Sequence, residues 1–520
     1  MFQKKRAKIS RFEENKPRPI IQLNEIEKLP STKALSSGIL LSWDIVQELT
    51  LEHIHQLMTT TCTIVFHIEN EERFRFIHES LISHQYSKIA IISSDRLILR
   101  EARNQLPLCE PILQINEYSW NTNEFIAYVN VEGIRTVWLQ PDHAVALSKR
   151  LHKHAISVWS HGENARDMHR LHVAGVDAIT CPIEHDSAQL FDAYQRLHLL
   201  ERPVFVAHRG APQLDAENTL AAFEKAVELG ADVLETDIRE TKDKKLILFH
   251  DPDINRTTSK KGFVSSYTLN QLKDIHPVVE LETFLKHYQH SPQLLLIEIK
   301  ERHTVLPIVR MVESLQMEQR VHIQSFDPVS LTNVQTLNRS IGISLLYTHN
   351  KWSKNQLSQA KVKQTLKHTQ ASLNVKMRRV PRRLNMNDSS VHLRMFTWTL
   401  TTKKELYMYW SLGFSGLITD CIQHIKNVPL ELEAQDLPIL NKNPLHLPNQ
   451  AVACYADGSK RLVEVSWLVQ YENQLINLTD EFKQQESVDV CCIHQFNFNG
   501  KKRSILSDLT TIHDKNKIER

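Results

Sequence analysis

The chain has 520 residues, a length that allows two to four domains with sizeable cores. Its 63 basic residues nearly balance its 60 acidic ones, so charge excludes a general role in binding nucleic acid. Seven scattered cysteines without paired-ligand spacing argue against a disulfide framework or a thiolate zinc site. No apolar run reaches the roughly 18–20 residues of a membrane span and the N-terminus has no signal-peptide core, so we expect a cytoplasmic protein.

The first 200 residues predict a tail followed by an α/β module. Residues 1–35 are predicted to be a disordered basic tail, because Met1–Pro19 is polar and basic. Residues 36–200 alternate helix-like segments with strand-like runs, which is an α/β pattern. The strand-like runs are Cys62–Ile68, Lys88–Ile92, Thr136–Leu139 and Ile156–Trp159.

The most informative stretch begins at an apolar run, Val204–Ala207, that stops at His208. A helix-like segment, Leu220–Leu229, follows and is closed by Gly230, as expected for a helix C-terminus. Glycine is scarce in this chain, with 12 residues, so those present mark positions where the backbone requires glycine; Gly210 is one of them.

The next two apolar runs carry acidic residues and a second histidine. Glu235 and Asp237 are two apart on a predicted strand and therefore share a face. The run Leu246–Phe249 leads into His250. Each feature alone has an ordinary explanation, since such residues often lie in loops or on solvated faces. Together, two carboxylates on one face and a histidine at each of two strand ends suit a hard metal ion and acid–base chemistry.

In order and spacing, this stretch resembles the glycerophosphodiester phosphodiesterase family. The matching motifs are His208-Arg209-Gly210, Glu217-Asn218-Thr219, Glu235-Thr236-Asp237, Thr241-Lys242-Asp243, His250-Asp251 and Asn255-Arg256-Thr257-Thr258. The resemblance implies an α/β (β/α)8 TIM barrel of the phospholipase-C-like type. We place this catalytic barrel at residues 201–430, close to the usual length of about 250 residues.

Eight runs are candidates for the barrel strands. They are Val204–Ala207, Val233–Ile238, Leu246–Phe249, Leu294–Ile299, Val321–Ser325, Ile343–Tyr347, Arg394–Trp398 and Gly416–Thr419. The fourth run adds Glu298 and Lys300, again two apart. Because barrel enzymes carry their sites at the carboxyl ends of the strands, these acidic and basic residues are expected to converge with the two histidines.

The resemblance also implies roles for individual residues. His208 and His250 match the general acid and base, and Glu235, Asp237 and Glu298 match ligands of a divalent metal ion, Ca²⁺ or Mg²⁺. Phosphate and substrate contacts are assigned to Arg209, Lys300, Glu217, Asn218 and Trp398. Trp398 belongs to a strand where the family often has an aromatic residue near the site, and a place in the core is the ordinary alternative for it. The implied reaction converts small-molecule glycerophosphodiesters, which are deacylated phospholipids, to sn-glycerol 3-phosphate and an alcohol. The sequence leaves open whether a glycerol hydroxyl or water attacks.

The chain departs from the family pattern at backbone-shaping positions. Ala216 stands where proline is usual, Lys244 stands where glycine is usual, and proline is absent before Leu281. These departures concern loop geometry and substrate fit rather than the proton- and metal-handling residues.

A weak internal repeat links the N-terminal module to the catalytic barrel. Ile91–Asp95 resembles Ile323–Asp327, and Trp159 and Thr180 are 21 residues apart, as are Trp398 and Thr419. The module therefore resembles the second half of the same barrel. His67 and Glu69 stand where Glu298 and Lys300 would, which predicts a degenerate, non-catalytic module. An unrelated α/β domain is the alternative.

Two further segments carry weaker signals. Residues 328–387 contain eleven Lys or Arg and no Asp or Glu, including Arg378, Arg379, Arg382 and Arg383. This favours a solvated face, with weak peripheral membrane contact as the alternative. After a linker at 431–449, residues 450–515 resemble a bacterial immunoglobulin-like β-sandwich through Tyr455–Gly458 and Val463–Trp467; its protein partner is left open.

Two other functions remain open at this point. A barrel that has lost useful activity would act as a binding or scaffold protein, and a related fold could act on lysophospholipids. A pseudoenzyme normally loses a metal ligand or a proton-transfer residue. None is missing from the motifs above, so hydrolysis of glycerophosphodiesters is the favoured prediction.

Overall fold

The computed structural model describes residues 18–23, 38–49, 53, 63–81, 89–106, 109–182, 190–349, 362, 365–366, 368–377, 394–433, 447–471, 474–478 and 487–513, apart from 192 and 195. Within them the chain forms two parallel barrels followed by two antiparallel sheets.

The first barrel is closed and has eight parallel strands in sequential order. Its strands are β1 Arg18–Leu23, β2 Gly38–Leu41, β3 Thr63–His67, β4 Ile89–Ser93, β5 Glu110–Ile115, β6 Thr136–Leu139, β7 Ser157–His161 and β8 Ala178–Pro182. Its helices are α1 Trp43–Glu48, α2 Glu71–Leu81, α3 Arg96–Gln105, α4 Thr122–Glu132, α5 Pro141–Lys153 and α6 Ala165–Val173. Apolar side chains such as Ile20, Val65 and Trp159 fill its interior.

This first barrel corrects two predictions. Residues 1–35 are not a tail throughout, because Arg18–Leu23 is the strand that closes the barrel between β2 and β8. The strand is six residues long and follows a polar run, so its short apolar centre gave little signal. The module is also a full eight-stranded barrel rather than half of one.

The second barrel has eight parallel strands, with β9 joining β17 to β10. Its strands are β9 Val204–His208, β10 Val233–Glu240, β12 Leu294–Ile299, β13 Val321–Ser325, β14 Gly342–His349, β15 Ser372–Met377, β16 Met395–Leu400 and β17 Gly416–Thr419. Its helices are α7 Leu220–Glu228, α8 Leu269–Lys273, α9 Leu281–His287, α10 Val305–Ser314, α11 Pro328–Leu337 and α12 Lys403–Ser411. The predicted TIM barrel is confirmed.

One predicted barrel strand is wrong and one was missed. Leu246–Leu248 is β11, which pairs antiparallel with β10 outside the barrel. The barrel position is taken by β15, which pairs in parallel with β14 and β16. An apolar run cannot show which neighbour a strand will pair with, and β15 has the polar Asn374 at its centre, so neither error was visible in the sequence pattern.

Two glycines beside β9 and β10 adopt backbones that other residues avoid. Gly210 has φ of +85°, and a Cβ there would meet the backbone of Ala222 at 2.6 Å. Gly230 has φ of +89° just after α7, as predicted for the helix end. Lys244, which replaces the usual glycine, sits at φ of +62° in the turn between β10 and β11. The turn therefore keeps its left-handed backbone at a cost of about 1 kcal/mol.

The two barrels are repeats of one another in detail. Ser93 and Ser325 end the fourth strands, and each hydroxyl accepts from the backbone N–H of the aspartate two residues later, at 3.1 and 3.2 Å. Gly175 and Gly413 precede the eighth strands, both at φ of +74°. The predicted alignment of Thr180 with Thr419 is one residue out, because Thr180 pairs with Ile20 and its equivalent, Ile418, pairs with Val206.

The barrels pack against each other through the ends where their strands begin. Arg135, just before β6, donates from Nε and Nη2 to the carbonyl of Gln370, just before β15, at 3.2 and 3.0 Å. Arg394, just before β16, binds Asp177, just before β8, at 2.9 Å. The carboxyl ends of the strands of the second barrel, where barrel enzymes carry their sites, therefore face away from the first barrel.

The C-terminal part is a small sandwich of two antiparallel sheets that share an apolar core including Ala453, Trp467 and Val490. Its strands are β18 Pro429–Glu433, β19 Gln450–Tyr455, β20 Lys460–Glu464, β21 Ser466–Tyr471, β22 Gln474–Asn477, β23 Ser487–Phe498, β24 Lys501–Leu506 and β25 Thr510–His513. The unit thus begins at 429 rather than 450, because β18, part of which was predicted as linker, pairs with β19.

Among the described residues, Cys109, Cys421, Cys454, Cys491 and Cys492 are not joined in disulfides. In the part of the chain that the structure describes, no helix combines the length and apolar character needed to cross a bilayer. The arginines at 378, 379, 382 and 383 lie outside the described residues.

Candidate active site

The predicted site residues converge at the carboxyl ends of the second barrel's strands. In the sheet register, Glu235 pairs with His208 on one side, and Asp237 pairs with Glu298 on the other. Alternation along β10 turns Glu235 and Asp237 to the same face. Strands β9, β10 and β12 are neighbours, so residues 90 positions apart in the chain become adjacent on one rim of the barrel.

Three carboxylates form the buried centre of the site. Oxygen atoms of Glu235, Asp237 and Glu298 all lie within 4.8 Å of one another. Their side chains are almost inaccessible, at 1%, 0% and 7% exposure. Burial and the neighbouring charges raise the pKa of Glu235 well above its usual range, and the same causes raise the pKa of Glu298 to about 7.

Two cations stabilise the third carboxylate. Lys300 Nζ lies 2.9 Å from Asp237 and 2.6 Å from Glu298, and Arg209 Nε lies 3.0 Å from Asp237. Burial alone would raise the pKa of Asp237, but Lys300 and Arg209 outweigh it and hold that pKa below its usual range. Asp237 is therefore ionised, and the negative charge of the cluster is concentrated on it.

Each predicted catalytic histidine is held by a carboxylate. His208 Nδ1–H donates to Asp420 at 2.5 Å, and His250 Nδ1–H donates to Asp251 at 2.6 Å. This arrangement leaves Nε2 of both rings to act on a substrate, because the carboxylate fixes the tautomer. Burial lowers the pKa of His250, so its imidazole is neutral near pH 7.

The carboxylate of Glu217 is paired with two arginines. It accepts from Arg209 at 3.0 Å and from Arg256 at 2.6 and 2.8 Å. Arg256 also binds Asp251, the carboxylate behind His250, at 2.5 Å. Glu217 therefore links Arg209, through Arg256, to the carboxylate of Asp251.

Asn218 has a structural contact and one free donor. Its backbone lies at φ of +60°, and its Oδ1 accepts from the hydroxyl of Thr236 at 2.8 Å. Its Nδ2 is buried, and no group of the described residues accepts a hydrogen bond from it. A buried amide N–H without an acceptor is costly, so this position is suited to a ligand oxygen.

Another part of the same rim carries a polar relay and an aromatic wall. Gln324 Nε2 donates to Glu235 at 3.0 Å, and Asn374 Nδ2 donates to Gln324 at 2.9 Å. Trp398 Nε1–H donates to the carbonyl of Asn374 at 3.0 Å, and Phe326 meets the Trp398 ring edge to face at 5.4 Å between centroids. Trp398 is half-buried, and it also packs against the apolar cluster that includes Val206 and Phe396, so it joins the barrel interior to this wall.

Several of these residues were missed by the sequence analysis. Asp420 follows the last strand directly, which is a position where barrel enzymes place functional side chains, so a signal was available. Gln324 and Asn374 gave none, since one belongs to an ordinary buried strand and the other to a strand that was not recognised. Asp251 and Arg256 were quoted as motif residues, but their contacts with His250 and Glu217 depend on tertiary structure.

The carboxylate cluster fits a hard divalent cation. Its donors are all carboxylate oxygens, which Ca²⁺ and Mg²⁺ prefer. Burial first and repulsion between the carboxylates second raise the pKa of Glu235 and of Glu298, and an added positive charge opposes both effects. The residues that would hold such an ion are Glu235, Asp237 and Glu298.

The first barrel lacks these groups at the equivalent positions. The registers of the two barrels place Gln22 where the second has His208, Leu40 where it has Glu235, and His67 where it has Glu298. The His67 side chain binds Gln114 at 2.7 Å instead of joining carboxylates. A position-by-position match therefore places neither a proton-transfer pair nor a carboxylate cluster there.

The fold and the site together define a TIM-barrel hydrolase. Residues 208–424 match the model of the glycerophosphoryl diester phosphodiesterase family. A Bacillus subtilis protein, YhdW, whose name assigns it provisionally to the glycerophosphodiester phosphodiesterases, is 30% identical over 233 residues, which cover 41% of this chain and 93% of that protein. A glycerophosphodiester phosphodiesterase of Caldanaerobacter subterraneus is 28% identical over 236 residues, covering 42% and 94%.

A crystal structure of glycerophosphodiester phosphodiesterase from Thermotoga maritima is also similar, with a TM-score of 0.35 and 23% identity, covering 43% of this chain and 97% of that one. By its sequence relatives, this chain belongs to the glycerophosphodiester phosphodiesterase family, and its second barrel carries that enzyme class.

Proposed function

We propose that the second barrel hydrolyses glycerophosphodiesters to sn-glycerol 3-phosphate and an alcohol, with His208 and His250 as general acid and base. The observation that carries the proposal is the arrangement of two carboxylate-held histidines beside a buried cluster of three carboxylates. Phosphodiester cleavage needs both, because a proton must reach the leaving oxygen while negative charge grows on the phosphate.

The charged groups have separate tasks in this proposal. Arg209 and Lys300 bind the phosphate oxygens, since both are largely buried cations next to the cluster. Glu235, Asp237 and Glu298 would hold a divalent ion, which would supply Lewis-acid stabilisation of the phosphate charge. Glu217 keeps Arg209 in place, and the free Nδ2 of Asn218 donates to a substrate oxygen.

The two histidines manage the protons. One neutral imidazole removes a proton from the attacking oxygen, which is that of water or of the substrate's own glycerol hydroxyl. The other, protonated, donates to the leaving alkoxide. Because burial lowers the pKa of His250, this ring is ready to accept a proton near neutral pH and suits the role of base. Asp420 and Asp251 stabilise each ring when it carries the extra proton.

The test is the release of glycerol 3-phosphate from glycerophosphoglycerol, glycerophosphocholine and glycerophosphoethanolamine by the full chain, with Ca²⁺, Mg²⁺ or a chelator. We expect metal-dependent release that falls by about 10³-fold or more in His208→Ala, since general acid–base groups contribute about 10²–10⁴-fold. Glu235→Gln should reduce both activity and divalent-ion affinity measured by calorimetry.

His287→Ala is the matched control, because this half-exposed histidine on α9 pairs with Glu224 away from the site. Its activity should stay within about twofold of the unchanged protein, as expected for a surface substitution. No release with any metal, together with no bound divalent ion, would replace the hydrolase with a binding or scaffold barrel. Release that survives Glu235→Gln would keep the enzyme and remove the metal assignment.

A further inference from the structure

A lysine covers the aromatic wall of the proposed active site. Lys376, near the end of β15, places its Nζ 4.9 Å from the centroid of the Trp398 ring. Phe326 meets the same ring edge to face, with an interplanar angle of 77°. The aromatic face that a bound molecule could use is therefore already paired with a positive charge supplied by the protein.

This wall is fixed relative to the reacting centre. Trp398 Nε1–H is held by the carbonyl of Asn374, and the side chain of Asn374 is linked through Gln324 to Glu235 of the carboxylate cluster. Three consecutive hydrogen bonds of 2.9–3.0 Å therefore connect the indole of Trp398 to the carboxylate cluster and fix its position relative to it.

The wall lies across the barrel from the carboxylate cluster. Glu235 and Asp237 belong to β10 and Glu298 to β12, whereas Lys376 and Trp398 belong to β15 and β16 on the other side of the ring of strands. A phosphodiester has two alcohol groups on opposite sides of its phosphorus. With the phosphate held by Arg209 and Lys300, one of these groups must extend towards the strands that carry the wall.

The charge of Lys376 decides which alcohol suits this wall. An aromatic face attracts a cation such as a quaternary ammonium group, which is how many proteins bind choline. Here the lysine occupies that interaction, and a second cation would meet a like charge in a partly desolvated site. A neutral polyol or an anionic group meets no such repulsion and can hydrogen-bond to the ammonium group.

We propose that Lys376 is a specificity-determining residue that makes this enzyme favour glycerophosphodiesters with neutral or anionic alcohols over those with cationic alcohols such as choline. The proposal rests on the proposed hydrolase function. It goes further by naming the substrate class and the residue that selects it.

The experiment compares kcat/KM for glycerophosphoglycerol, whose alcohol is neutral, with kcat/KM for glycerophosphocholine. In the unchanged protein we expect the ratio to favour glycerophosphoglycerol by about tenfold. In Lys376→Met the side chain keeps its length and loses its charge, so the ratio should shift towards choline by about 2–30-fold, the range spanned by cation–π interactions. Lys376→Glu should shift it further in the same direction.

The chain offers a matched control. Lys403 Nζ lies 5.3 Å from the Tyr407 ring, and both residues belong to helix α12 rather than to the strand ends. Lys403→Met therefore removes an equivalent lysine–aromatic contact outside the site and should leave the substrate ratio unchanged. A shift of equal size in Lys403→Met would show that the effect is not local to the wall.

The outcomes separate this proposal from the one on which it rests. If the unchanged protein hydrolyses glycerophosphodiesters and the ratio is the same in Lys376→Met and Lys376→Glu, the specificity proposal is wrong and the hydrolase remains. If the unchanged protein prefers glycerophosphocholine, the specificity proposal is also wrong and the hydrolase again remains. If neither substrate is hydrolysed under any metal condition, the hydrolase fails and this proposal fails with it.

Discussion

At the scale of single residues, each histidine of the site is paired with an acid, one adjacent in the chain and the other distant. Asp251 is the immediate neighbour of His250, whereas Asp420 lies 212 positions from His208. The second pairing exists because β17 closes the barrel against β9. Closure of the barrel therefore brings Asp420 to His208.

Asp420→Asn should lower kcat by about 10–100-fold with a smaller change in KM, because the amide fixes the wrong tautomer of His208 and cannot stabilise its protonated form. Steady-state kinetics on the preferred glycerophosphodiester measures both parameters. Asp274→Asn, an exposed residue at the end of α8, serves as the control and should leave both unchanged. An Asp420→Asn variant with normal kcat would remove Asp420 from the mechanism.

At the scale of elements, the contact between the barrels depends on side chains placed just before strands. Arg135 is 4% exposed, and it satisfies the Gln370 carbonyl and the side chain of Asn130, whose amide in turn donates to the Ser340 carbonyl at 2.9 Å. Burial lowers the pKa of Arg135 to about 10, which still leaves it charged at neutral pH. The arginine thus joins α4 to the entrances of β14 and β15.

Arg135→Met should reduce the free energy of unfolding by about 1–3 kcal/mol, because it leaves a buried carbonyl without a donor. Urea denaturation followed by tryptophan fluorescence measures the change. In contrast, Arg75→Met removes an exposed ion pair with Glu71 on α2 and should cost less than about 0.5 kcal/mol. Equal effects of the two substitutions would mean that the barrels do not depend on this contact.

At the scale of the whole molecule, buried histidines lie where the three units meet. His154 and His322 lie between the barrels, and His169 Nε2–H donates to the Ser507 carbonyl of the C-terminal sandwich at 2.9 Å. Burial lowers the pKa of His154 and of His172 to about 3, and it also lowers the pKa of His169 and His322. These contacts therefore require neutral imidazoles.

The full chain should lose stability as the pH falls below about 6.5. Between its folded and its unfolded pKa, a buried histidine binds a proton only when the chain is unfolded. The free energy of unfolding is therefore highest above the unfolded pKa of about 6.5 and falls as the pH drops towards the folded pKa. Each such group contributes a slope of about 1.4 kcal/mol per pH unit. For His154 the window runs from about 6.5 to about 3.

Urea midpoints measured between pH 7.5 and pH 4.5 check this prediction. His154→Gln should reduce the slope by about one histidine's share, about 1.4 kcal/mol per pH unit. His303→Gln, at a residue whose side chain is 58% exposed, should leave the slope as it is. If the slope is the same in His154→Gln, His154 does not take up a proton when the chain unfolds, and the prediction is wrong.

The sequence on its own determined which residues meet at the rim of the second barrel. Motif spacing located His208, Glu235, Asp237, His250, Glu298 and Lys300, because a strand turns residues two apart to one face and a parallel barrel gathers strand ends on one rim. It also identified the barrel fold and the repeat in the N-terminal module. These features depend on local periodicity and order, which a linear chain displays directly.

Only the tertiary structure decided the rest. It showed that Arg18–Leu23 closes the first barrel, that β15 rather than β11 belongs to the second, and that the barrels meet where their strands begin. It also brought Asp420 to His208 and Lys376 to Trp398. Strand pairing and contacts between distant side chains depend on which surfaces bury each other. Those surfaces are decided by the packing of the complete fold, which produces no periodic pattern in the sequence.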